Sequence, residues 1–134
     1  MTAGQDTATT PGRQAQARIA LTAAWHAERD AATAARRTSD GNAEWHHLER
    51  AHILSQPLAG LHLRTHRAML AASVRRRDGR EVSGQLLRLL LAVPGSLSGR
   101  YPVGNTGGAD VSAFSPMAVP EDLRPLLRSL GGVA

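Results

Sequence analysis

Residues that break helices divide this chain into segments of helical length, and this division limits its fold more than any other feature. The breaks fall at residues 39–42, 57, 78–79 and 94–95. Gly, Pro, Asn and Asp at such positions favour turns and helix ends, whereas the segments between them are rich in residues that favour helices. The spacing predicts four helices, over residues 13–37, 43–56, 57–77 and 80–93.

The composition changes beyond residue 94. Residues 95–116 are rich in Gly and Pro, which predicts a loop. A short final helix is expected from Pro120, because Glu121 and Asp122 would then lie in its first turn, where the helix dipole favours acidic groups. No useful stretch alternates between apolar and polar residues as a strand would. The sequence predicts an all-α fold, a small bundle of about four helices with a Gly/Pro-rich C-terminal loop and a short final helix.

Length and composition limit the class of protein further. We expect a disordered tail over residues 1–12 and a single helical domain over residues 13–134. Cysteine is absent, which excludes disulfides, thiolate metal sites and cysteine nucleophiles. The longest apolar run, residues 89–93, is far below the roughly 20 residues that a membrane span needs. Residues 1–11 lack the pattern of a secretory signal, so a cytoplasmic protein is expected.

The basic charge raises the question of a nucleic-acid partner. The formal net charge is +5 and the sequence pI is about 11.4, and every basic residue is an arginine. The arginine clusters at residues 36–37 and 75–77 fall where helices are expected to end, and cations there suit the helix dipole. A single Phe and a single Tyr offer no platform on which bases could stack. These features argue against nucleic acid.

Polar residues of ligand type interrupt the apolar face of the second predicted helix. On a helical wheel, Trp45, Leu48 and Ile53 define that face, and Glu49 and His52 fall inside it. A buried carboxylate needs a partner, since an ionised group in apolar surroundings is very costly. The pattern therefore indicates that this face binds something.

The third predicted helix repeats the pattern. Its apolar side includes Leu61, Met69 and Leu70, and His62 and His66 lie within it. Four residues apart, the two histidines are one turn above each other on the same face. Such a pair is a common way to chelate a metal ion.

The two patterns match in height if the chain reverses near Pro57. His52 and His62 each lie five residues from Pro57, and Glu49 and His66 lie eight and nine residues from it. An antiparallel hairpin would bring these four side chains together as ligands of one divalent transition metal, Zn, Fe, Mn, Ni or Cu. The open alternative is that the histidines are hydrogen-bonded core residues and that Glu49 pairs with an arginine.

Further residues are candidates for an additional ligand or for an outer hydrogen-bond partner of a ligand. Glu81 and Gln85 form a polar stripe on the largely apolar fourth helix, where they could bind a second metal, orient a histidine or face solvent. His26 could close the site or form a satisfied pair at its edge, and His46, at the edge of the second helix's apolar face, could be an outer partner or an alternative ligand. Residues 104–108 could present amides to an anion or form a structural loop.

These residues also carry a family resemblance. Over about residues 15–128 the sequence resembles a family of small, mostly bacterial proteins catalogued as domain of unknown function 3703. The resemblance implies that the His/Glu positions and Glu81 belong to the family pattern, and it supplies no reaction. The matching segments are residues 47–54, His62, residues 64–66, 69–70, 80–82, 84–85 and 102–108, Phe114, residues 116–117, Pro120 and residues 122–123.

Three functions follow as hypotheses. The first is a small non-haem metalloenzyme, mononuclear or dinuclear, whose metal would bind a small-molecule substrate at open positions. The second is a metal-buffering or metal-resistance protein without turnover, for which a closed four-ligand site would be typical. The third and weaker one is a basic module that regulates through nucleic acid. The sequence assigns no catalytic residue, no reaction and no oligomeric state.

Overall fold

The computed structural model describes residues 10–98, 102–112 and 115–130, and these residues contain five helices. Strands are absent from these residues, so the predicted all-α class, with a short final helix, is confirmed. Residues 1–9 of the predicted tail lie outside the described residues, and residues 10–12, predicted as tail, belong to the first helix. The helices are α1 (Thr10–Arg37), α2 (Gly41–Ser55), α3 (Ala59–Arg75), α4 (Gly79–Ser98) and α5 (Arg124–Arg128).

Prolines account for the main differences between the predicted and the observed helix bounds. Pro57 does not open α3: Leu58 is the N-cap, with extended backbone, because residues 56–58 are used to reverse the chain between α2 and α3. Pro94 does not end α4, which continues to Ser98. Both Pro94 and Leu90 are exposed, so water can hydrate the Leu90 carbonyl that loses its amide partner. The final helix begins at Arg124, after a turn that follows Pro120.

The helices pack in chain order, α1 on α2, α2 on α3 and α3 on α4, and α5 packs against α1. A buried hydrogen bond from Trp25 Nε1 to Thr65 Oγ1, 2.8 Å long, also ties α1 to α3. Among the described residues, no helix is both long enough and apolar enough to cross a membrane. Two apolar clusters form the core, one around Leu21, Trp25, Ala51, Ile53, Leu54, Leu58, Leu123 and Leu127, the other around Ala32, Leu48, Met69 and Ala72.

Candidate metal centre

Three histidines from α2 and α3 meet in the interior. His52, His62 and His66 are only 3%, 6% and 2% exposed. Their Nε2 atoms form a triangle, with separations of 2.9 Å between His52 and His62, 3.1 Å between His62 and His66, and 3.1 Å between His52 and His66. These side chains form a group that could hold a metal ion. The predicted hairpin thus brings His52 level with both histidines of α3.

A backbone carbonyl determines which nitrogen of His52 carries the proton. His52 Nδ1 lies 2.7 Å from the carbonyl oxygen of Asn105. Since a carbonyl oxygen only accepts hydrogen bonds, Nδ1 must be the protonated nitrogen. Nε2 of the neutral ring therefore directs a lone pair into the triangle.

A side-chain amide does the same for His66. Gln85 Nε2 donates to Glu81 Oε1 at 2.6 Å and to the Gly107 carbonyl at 2.8 Å, which places Gln85 Oε1 on the other side. That oxygen lies 2.7 Å from His66 Nδ1 and can only accept, so His66 also carries its proton on Nδ1. A second lone pair therefore points into the triangle.

The facing lone pairs form an arrangement that could hold a cation between them. His52 Nε2 and His66 Nε2 are 3.1 Å apart, and no hydrogen bond can join them because neither has a hydrogen to donate. A proton on His62 Nε2 could be directed at only one of them at a time, whereas one metal ion could accept a lone pair from all three. For Zn–N bonds of about 2.0–2.1 Å, these separations correspond to N–metal–N angles of about 90–100°. A metal held by these three nitrogens would be bound from one side by α2 and α3.

Burial keeps the imidazoles of His52 and His66 neutral, which is the form in which an imidazole can bind a metal. It lowers the pKa of His52 well below its ordinary value, and the neighbouring His66 and His62 lower it further. Burial also lowers the pKa of His66 to about 4, although its hydrogen bond with Gln85 acts in the opposite direction. Both rings are therefore neutral near pH 7, and no proton has to leave before a metal binds.

Glu49 lies outside the triangle. Its Oε1 accepts a hydrogen bond of 3.1 Å from Trp45 Nε1, one turn earlier on α2, and it is not among the side chains whose ligand atoms cluster within 4.8 Å. Burial raises its pKa, and the charges of Asp110 and Glu81 add to the effect. Its role as a ligand stays a prediction.

The weaker candidates separate into two groups. Gln85 and Glu81 connect to the centre through the hydrogen bond between Gln85 and His66, in the outer position considered for them. His26 and His46 are exposed; His26 packs edge-on against Trp25, and His46 against His47. Neither belongs to the histidine triangle.

The loop at residues 102–109 covers the three histidines, which fits the lid that a Gly-rich loop could form over a metal site. Gly107 lies directly on the His52 ring: a Cβ added there would be 2.6 Å from His52 Cδ2. Asn105 accepts a hydrogen bond from Gly107 N through Oδ1, and its Nδ2 donates to the carbonyls of Ser112 and Ser115. The amide of Gly104 donates to Gln56 Oε1. These internal bonds fit the structural interpretation of residues 104–108 better than anion binding.

Comparison with known proteins gives a family and no relative of known activity. The model of the family described as "Protein of unknown function (DUF3703)" matches residues 19–127. No curated protein and no solved structure matches the chain. The match includes all three histidines of the triangle, Gln85 and the loop that covers them, so the whole centre lies within the family's extent.

Proposed function

The chain belongs to the DUF3703 family, and we propose that it binds one divalent transition-metal ion through Nε2 of His52, His62 and His66. The observation that carries this proposal is the pair of facing lone pairs on His52 and His66, 3.1 Å apart. Hydrogen bonds to Asn105 and Gln85 hold both rings in that orientation. Hydrogen-bonded core histidines would instead pair a donor with an acceptor.

The donor set limits the metal. Three imidazole nitrogens suit Zn, Cu, Fe and Ni, whereas Ca and Mg prefer oxygen ligands. No thiolate is available to select Cu(I). We therefore expect a divalent ion, of which Zn²⁺, Fe²⁺, Ni²⁺ and Cu²⁺ are the candidates.

Three protein ligands favour a reactive centre over a closed one. Metal sites with three protein ligands and an open position are typical of catalysis, because a bound water or substrate occupies that position. Burial of all three histidines restricts the ligand to a small molecule. We therefore propose a small non-haem metalloenzyme as the leading function.

A metal-buffering protein is the second candidate, and Glu49 decides between them. Glu49 lies three residues before His52 on the same helix, and its carboxylate accepts a hydrogen bond from Trp45 Nε1. A move of this carboxylate onto the metal would complete a four-ligand, closed site. Such a site would favour storage over turnover.

Metal analysis of protein purified without a histidine tag tests the proposal. We expect about one equivalent of metal in the wild type, and loss of it in the variants His52→Ala, His62→Ala and His66→Ala. Affinity should fall by more than the roughly 10–100-fold that loss of an outer hydrogen-bond partner costs. His46→Ala, which removes an exposed histidine from α2, is the matched control and should bind normally. Equal binding by the three variants and the control would refute the site.

Azide and Glu49→Gln separate the two candidates. With Co²⁺ as a spectroscopic probe, a centre with an open position should change its visible spectrum on addition of azide. In that case Glu49→Gln should leave the spectrum of the azide-free protein unchanged. A visible spectrum that azide does not change in the wild type but does change in Glu49→Gln would favour buffering. Glu49 would then occupy the fourth position on the metal.

A further inference from the structure

We propose that Glu81 is a positioning residue for the metal centre, which acts on His66 through Gln85. This inference rests on the proposed function, since its consequence is a change in metal affinity. Glu81 itself lies outside the histidine triangle. Its carboxylate orients the Gln85 amide, and the amide in turn keeps the proton of His66 on Nδ1, away from the metal.

The contacts of Gln85 carry the first step. Its amide group is fully buried and bonded on both sides: Nε2 donates to Glu81 Oε1 at 2.6 Å and to the Gly107 carbonyl at 2.8 Å, and Oε1 accepts from His66. Two acceptors on one side make only one orientation of the amide favourable. A flipped amide would direct its oxygen at two other oxygens.

The contacts of Glu81 carry the second step. Oε1 accepts from Gln85, and both carboxylate oxygens accept from the amide of Ala109, at 3.0 and 2.8 Å. A carboxylate has no hydrogen to donate when ionised, so it can serve both donors at once. Glu81 thereby connects α4, the loop and the ring of His66 in one chain of hydrogen bonds.

Glu81→Gln keeps the size of the side chain but disrupts this arrangement of donors and acceptors. Its amide has one acceptor oxygen, so its NH₂ group must face either Gln85 Nε2 or the Ala109 amide, and both of these are donors. Facing Gln85, it leaves the Gly107 carbonyl as the one acceptor that holds the Gln85 amide, so a flipped amide, whose NH₂ group would donate to His66 Nδ1, becomes populated. The ring proton of His66 would move to Nε2, where it blocks the metal. Facing Ala109, it releases the loop.

The tautomer of each ring tests the inference without any metal. Long-range ¹H–¹⁵N correlation spectra of metal-free protein distinguish Nδ1–H from Nε2–H. We expect Nδ1–H for His52 and His66 in the wild type. In Glu81→Gln, His66 should gain Nε2–H, whereas His52, bonded to the Asn105 carbonyl, should not change and serves as an internal reference.

Affinity for Zn²⁺, measured by competition with a chromophoric chelator, gives the second readout. It should fall about 10–100-fold in Glu81→Gln, the usual effect of removing an outer partner of a ligand. Asp110→Asn is the matched control. It removes a charge that acts on Glu49 in the same region, but it removes no hydrogen bond to Gln85. Its affinity should stay within about threefold of the wild type.

The outcomes separate this inference from the proposed function. Nε2–H on His66 in the wild type, or an unchanged tautomer and affinity in Glu81→Gln, would overturn the role of Glu81. If His52→Ala still abolished Zn²⁺ binding, the metal site itself would stand. An equal loss of affinity in Asp110→Asn would also overturn the inference, because charge alone would then explain the effect. A wild type that binds no transition metal would overturn both proposals.

Discussion

At the scale of single residues, Gly107 occupies a position that no other residue fits. Its φ is +82°, in the left-handed region, and an added Cβ would lie 2.6, 2.7 and 2.9 Å from three atoms of the His52 ring. In Gly107→Ala we expect the metal-free protein to lose about 1–3 kcal/mol of unfolding free energy from backbone strain. Displacement of His52 should weaken metal binding as well. Urea unfolding and a Zn²⁺ titration measure the two effects.

Gly60→Ala is the control for that experiment. Gly60 lies in the first turn of α3, where an added Cβ would meet nothing within 4 Å. Alanine is the better helix former, by up to about 1 kcal/mol, so this variant should be as stable as the wild type or more so. Similar stabilities of Gly107→Ala and the wild type would contradict the close packing of the loop on His52.

The histidines and Glu49 show what a helical wheel can and cannot predict for a residue. The wheel placed all four on inward faces, and His52, His62 and His66 do meet. It could not choose a partner for Glu49, because the indole of Trp45 lies one turn away on the same helix and bonds the carboxylate. The i, i+4 spacing of Trp45 and Glu49 is the one signal in the sequence for this pair.

At the scale of elements, a side-chain N-cap stabilises the start of α2, the helix that carries His52. Asp40 Oδ1 accepts a hydrogen bond of 2.9 Å from the amide of Ala43. Asp40→Ala should cost about 1 kcal/mol of unfolding free energy, because an amide of the first turn loses its partner. Metal affinity should not change, since His52 lies three turns further along α2. Chemical denaturation of the metal-free protein measures the cost.

Asp30→Ala is the matched variant for the cap. Asp30 is exposed in the interior of α1, where alanine has the higher helix propensity. This variant should be neutral or slightly stabilising. Equal losses in Asp40→Ala and Asp30→Ala would mean that removal of the negative charge, and not the cap, explains the effect.

The helices themselves were predictable because their signals are local. Turn residues at 39–42 and 78–79 separate helices close to the predicted bounds, and each of these turns includes an aspartate that accepts from a first-turn amide. The helix bounds predicted at Pro57 and Pro94 were wrong, at Pro57 because of tertiary structure and at Pro94 because of solvent exposure. The chain reversal takes in Pro57, and exposure lets α4 continue past Pro94. Neither reason can be read from neighbouring residues.

At the scale of the whole molecule, the centre combines one feature that the sequence predicts with one that it does not. The equal spacing of His52 and His62 from the α2–α3 turn can be read directly from the sequence. The bond from His52 to the Asn105 carbonyl joins residues 53 positions apart, and a backbone carbonyl has no residue type to reveal it. Prediction therefore reached the three clustered histidines but not the backbone carbonyl that orients His52.

Binding at a buried centre should stabilise the whole fold, because α2, α3 and the covering loop all contribute to it. A ligand that binds only the folded state at about 100 times its Kd adds about 2.7 kcal/mol. For a chain of this length, Tm should then rise by roughly 10 °C. Differential scanning calorimetry of metal-free protein with added Zn²⁺, Ni²⁺, Cu²⁺ or Fe²⁺ measures the shift, and a chelator should reverse it. His52→Ala should show no shift, since it lacks one of the three nitrogens. A shift that persists in His52→Ala would show that the metal stabilises the protein from another site.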